Sequence, residues 1–111
     1  MDININQISG QLHIPPEVYR RILEKSLTTT AEDIVLLQKV VSEGNYDQVR
    51  FVAHRLKGIY SNLHIEELRQ AAEALQTAAK SDPQAEEIGR LFQVFCEGFE
   101  ELKTSLDRDK G

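Results

Sequence analysis

Three residues in the middle of the chain carry the strongest chemical signal: His54, Lys57 three positions on, and Gly58 four positions on. An imidazole is a nitrogen nucleophile that is mostly neutral near pH 7, and an ammonium one helical turn away can neutralise an anion placed on the ring. The cargo that suits such a pair is a phosphoryl group, because the dianionic phosphoramidate formed on the ring gains from a nearby cation. Glycine inside a helix is unfavourable by roughly 0.5–1 kcal/mol relative to alanine. Its presence one turn after His54 therefore points to a side chain that has to be missing, so that a bulky partner can reach the imidazole.

That chemistry requires His54 to face outward. On a helix from Tyr46 to about Leu63, turned by about 100° per residue with His54 at zero, the apolar residues Val49, Val52, Ala53, Leu56, Ile59, Tyr60 and Leu63 fall between roughly 140° and 260°. His54 lies opposite this arc. Arg50, Lys57 and Ser61 lie within about 60° of it on one side, and Asp47, Phe51 and Gly58 within about 60° on the other. The wheel disfavours a core histidine, and it places Phe51 outside the core arc, either as a partly exposed ring beside the candidate site or as a ring folded over the groove toward a neighbouring helix.

The elements that position this helix all have the helical period, and no segment alternates long enough to read as a strand. Ile3, Ile5, Ile8, Leu12 and Ile14 suit a short N-terminal helix weakened by Gly10 and ended by Pro15-Pro16. Pro16 opens a helix whose apolar stripe runs to Leu27, and the run Thr28-Thr29-Thr30 is expected to interrupt it. Thr30 with Asp33 resembles a capping box for a further helix from Ala31 to Glu43, closed by Gly44. Asn45 with Gln48 starts the His54 helix. Ile65, Leu68, Ala72, Leu75 and Ala79 mark the next, stopped by Ser81-Asp82-Pro83, and the last runs from Pro83 to about Leu106. Short connections favour antiparallel neighbours, so the expected fold is all-α: an up-down antiparallel four-helix bundle over residues 16–106, with residues 1–14 as a short N-terminal helical appendage.

Composition narrows the function. At 111 residues the chain is read as one domain, 1–111, and a net charge of −5 argues against a phosphate-backbone binder such as a nucleic-acid protein. No apolar run approaches the roughly 18 residues a membrane span needs, the start lacks the features of a signal peptide, and the single Cys96 fits a reducing compartment, so a cytoplasmic protein is expected. A metal-binding bundle would need Glu-x-x-His on facing helices; Phe51, Ser61 and Gly10 precede the three histidines by three residues, so metal ligands are not expected.

The run His54-Arg55-Leu56-Lys57-Gly58, preceded by Gly44-Asn45-Tyr46-Asp47 and Ala53 and followed by Ser61-Asn62-Leu63 and Leu68, resembles the histidine-containing phosphotransfer domains of phosphorelays. The resemblance implies that His54 is phosphorylated, that Lys57 neutralises the phosphate, that Gly58 clears the approach, and that Gln76 on the adjacent helix orients the imidazole. Lys80 resembles a basic position that faces a partner in some members. Arg50, Phe51, Arg55, Ser61 and Lys80 are the expected partner-binding residues. Ile59 and Tyr60 depart from positions where small residues are common, and His64 stands where a glycine often ends or bends the chain.

The function so implied is a stand-alone, monomeric phosphocarrier. It would take a phosphoryl group from a receiver-domain aspartate and pass it to another receiver, with transient partners among response regulators and hybrid histidine kinases. It would need no cofactor of its own, since Mg²⁺ sits in the receiver's acidic pocket, and would not be an enzyme with its own ATP site. The alternative is a helical adaptor that binds a receiver or kinase without exchanging phosphate. The intact set of His54, Lys57 and Gly58 separates the two in favour of the carrier.

Overall fold

A computed structural model describes residues 1–109 as five helices, α1 (Ile5–Leu12), α2 (Pro16–Ser42), α3 (Tyr46–Asn62), α4 (Glu66–Lys80) and α5 (Ala85–Asp109), with no strand among them. The particle measures 42 × 23 × 19 Å, its long dimension close to the ~40 Å expected of the 27-residue α2. α3 packs against α2 and α4, α4 against α5, and α5 back against α2, while α1 lies on α2. The core they share is built from Tyr19, Leu23, Leu37, Val49, Val52, Leu56, Tyr60, Leu68, Leu75, Ile88, Phe95 and Leu102.

Local chemistry explains most of the boundaries. Asn4 caps α1, its side-chain oxygen accepting from the Gln7 amide, and Asn45 does the same for α3 from Gln48. Pro16 occupies the first turn of α2, where its missing N–H leaves no bond unmade. Beyond α2, Gly44 takes φ +67°, and the Gly44 and Asn45 amides bond the carbonyls of Val41 and Val40.

The expected break at Thr28-Thr29-Thr30 is absent, and α2 runs through it unbroken. Each threonine hydroxyl donates back to the carbonyl four residues earlier, Thr28 to Glu24, Thr29 to Lys25 and Thr30 to Ser26, which satisfies the side chains inside the helix. Thr30 is therefore no cap. It is fully buried and meets the Tyr60 hydroxyl at 2.6 Å, while its supposed box partner Asp33 pairs with Arg55. Tertiary partners outweigh the local signal. α5 also departs from expectation, beginning at Ala85 rather than Pro83 and continuing past Leu106 to Asp109, where Asp109 pairs with Arg20 of α2. The bundle portion accordingly reaches beyond residue 106.

Candidate functional site

α3 turns Val49, Val52, Ala53, Leu56 and Tyr60 into the core and leaves His54 exposed on the opposite side. The carboxamide of Gln76, on α4, holds one ring nitrogen: its Nε2 lies 3.1 Å from His54 Nδ1. Two proton arrangements fit this contact. The amide N–H donates to a bare Nδ1, or, with the carboxamide turned over, Nδ1–H donates to its oxygen. In a neutral ring only the second leaves the lone pair on Nε2, the nitrogen with no partner among the described residues. With the amide nitrogen toward the ring, the single oxygen of the carboxamide, Gln76 Oε1, is buried without a hydrogen-bond partner; turned over, that oxygen would accept from the ring.

The pairing of residue 54 with 76, together with that of Lys57 with Glu73, sets the register of α3 on α4, numbers falling on one helix as they rise on the other. The two sides of the wheel have different neighbours: Lys57 lies on the flank toward α4, and Arg55, with Phe51 beside it, on the flank toward α2. A groove of about 310 Å³ lined by Asp47, Gln48, Arg50, Phe51, His54 and Gln76 opens beside the imidazole.

On the α4 flank Lys57 Nζ lies 3.9 Å from Glu73 Oε1, and the second oxygen of Glu73 accepts from Arg69 Nη1 at 2.5 Å. Arg69 also forks onto Glu66, at 2.8 and 2.6 Å, and these hydrogen bonds hold the Glu66 carboxyl below the usual carboxylate range. Arg50 and Lys80 are exposed, and among the described residues neither makes an ion pair. Ser61 is exposed one turn beyond Lys57.

On the α2 flank the buried carboxylate of Asp33 accepts two hydrogen bonds from Arg55, from Nε at 3.2 Å and Nη2 at 2.5 Å, and these bonds raise the Arg55 pKa further. So fixed, the guanidinium lies 5.6 Å from the centre of the Phe51 ring, which is 60% exposed. Phe51 is therefore a surface residue and not part of the bundle interior. A Cβ built on Gly58 would meet nothing within 4 Å, so no contact inside this chain requires glycine there.

Residues 21–109 match the Hpt domain. The chain belongs to the Hpt domain family. No curated protein and no solved structure matches it significantly. Hpt domains pass phosphoryl groups through a histidine in phosphorelays, act as phosphocarriers rather than kinases, and meet receiver domains transiently. No helix among the described residues is long and apolar enough to cross a membrane.

The departures from the Hpt pattern are absorbed locally. Tyr60 is fully buried, edge-on to Phe95 at 6.2 Å, with its hydroxyl on Thr30; Ile59 packs partly buried against the core. His64 takes φ +57°, the conformation a glycine would adopt at no steric penalty, and its amide bonds Ser61 O as α3 ends. His13 has the same φ at the end of α1, and both of these histidines are exposed chain-turning residues. Sequence reasoning assigned Asp33 a capping role in place of its pairing with Arg55, and it assigned no role to Arg69 or Glu73. The Arg69/Glu73 spacing was legible as an i, i+4 pair, but its reach to Lys57 depends on a register that only the packed helices define.

Proposed function

We propose that this chain carries phosphate on His54 between receiver domains, and that its four long helices form a single up-down bundle whose role is to hold that histidine outward. The observation that carries the reading is an exposed imidazole with Nδ1 engaged by Gln76 and Nε2 free, beside a glycine whose missing side chain no internal contact explains. In the transfer, Nε2 attacks the phosphorus of a receiver's aspartyl phosphate. The P–N bond forms as the P–O bond to the aspartate breaks, and the carboxylate leaves with the electron pair. The Nδ1 proton stays on the ring, held by the Gln76 carboxamide oxygen. Return transfer to a second receiver reverses each step, so the carrier needs no cofactor of its own; Mg²⁺ belongs to the receiver's pocket.

Docking is assigned to the surface around Phe51, with Arg50, Arg55 and Lys80 as cations that steer an acidic phosphorylated pocket. Lys57 neutralises the bound phosphoryl group, and Ser61 lies at the edge of the contact. The test is to incubate the chain with phosphorylated receivers and follow the label. Acid-labile, alkali-stable phosphate on the wild type and none on His54→Gln is the expected result. Binding of a receiver with no transfer of its phosphate would leave an adaptor in place of a carrier.

A further inference from the structure

Lys57 is not idle in the unphosphorylated protein. Its ammonium is drawn toward α4 by Glu73, at 3.9 Å, a distance at the outer limit of an ion pair. Glu73 has a closer cation of its own: Arg69 donates to its other oxygen at 2.5 Å from one turn earlier on α4. The carboxylate therefore keeps a partner when Lys57 departs. Gln76, three residues after Glu73, faces the same helix, so both α4 residues address the α3 turn that carries His54 and Lys57.

We propose that Glu73 is a positioning residue for phosphotransfer, parking the Lys57 ammonium beside the site and yielding it to an incoming phosphoryl group, while Arg69 sets how readily it yields. The inference rests on the phosphocarrier reading. A phosphoryl group brings close to two negative charges against one on Glu73, and Arg69 already spends part of that one, so the exchange favours the phosphate. No proton or covalent bond moves in this exchange; one ion pair replaces another.

The experiment uses the full chain with phosphoramidate as a small-molecule phosphoryl donor, so that no receiver is needed, and reads the rate of phosphohistidine formation by ³¹P NMR. Glu73→Gln should speed uptake about two- to fivefold, and Arg69→Gln, which leaves Lys57 as the only cation on Glu73, should slow it by a similar factor; both changes should shrink as salt is raised. In a Lys57→Ala background both effects should vanish. Equal rates for Glu73→Gln and wild type, or a Glu73→Gln gain that persists without Lys57, would overturn the proposal while leaving His54 as the carrier. A wild-type chain that takes up phosphate on His54 neither from phosphoramidate nor from a phosphorylated receiver would overturn the carrier reading itself.

Discussion

Gly58 and Gly98 both sit in the interior of a long helix, where glycine is unfavourable by roughly 1 kcal/mol, yet they answer to different surroundings. At Gly98, on the seam between α4 and α5, an added Cβ would come within 2.9 Å of Leu68 Cδ2, a side chain with no exposure. A side chain at Gly98 would have to displace this buried leucine. At Gly58, on the outward face of α3, the same Cβ would meet nothing within 4 Å. One missing side chain is explained inside the molecule, and the other is explained only by something that arrives from outside. The comparison separates residues that build the bundle from residues that the bundle presents.

The sharpest way to break the comparison is to fill both spaces. Gly58→Glu should reduce transfer from a phosphorylated receiver by about a hundredfold or more, because a carboxylate would stand beside the phosphoryl group, where juxtaposed like charges cost several kcal/mol. The melting temperature should hold or rise slightly. Wild-type transfer rates in this variant would return Gly58 to the structural class. Gly98→Val should do the reverse, overpacking the seam for a loss of about 1–3 kcal/mol in denaturant titrations while the folded fraction still takes phosphate normally. A stable Gly98→Val protein would mean that Leu68 can move aside.

A smaller effect separates the same two regions by pH. Burial raises the Tyr60 hydroxyl to about 12 and pushes Tyr19, whose hydroxyl donates to Leu63 O at 2.8 Å, up as well. Since the unfolded value is near 10, the contribution of Tyr60 to stability is complete below pH about 10 and is lost as pH rises through about 12, while that of Tyr19 is still being lost at more alkaline pH. Melting temperatures should fall steeply across that window and less steeply in Tyr60→Phe, which at neutral pH should lose about 0.5–1.5 kcal/mol with its bond to Thr30. An identical alkaline slope in the variant would remove Tyr60 from the account.

On the presented face, Phe51→Ala should weaken receiver binding by more than about 1 kcal/mol with little change in melting temperature. Calorimetry and thermal denaturation on the same sample decide it: a large stability loss with unchanged affinity would move Phe51 to the building class. The smallest effect is expected from Lys57→Ala, a graded loss of transfer rate matching about 0–1 kcal/mol, screened further by salt. A variant as inactive as His54→Gln would show that Lys57 does more than balance charge.

The outward position of His54 and the buried arc of α3 were legible in the sequence because both depend only on 3.6-residue periodicity, a property of one helix considered alone. So were the Asn45 cap and the Gly44 turn, whose hydrogen bonds close within a few residues. The threonine run misled because its hydroxyls can serve either a cap or the helix interior, and the choice fell to Tyr60, thirty residues away in sequence. Only the tertiary structure placed Glu73 beside Lys57, Asp33 beneath Arg55 and Gln76 against His54. Those relations depend on the register between helices, which is set by the interlocking of side chains along whole helix faces and is written in no local pattern.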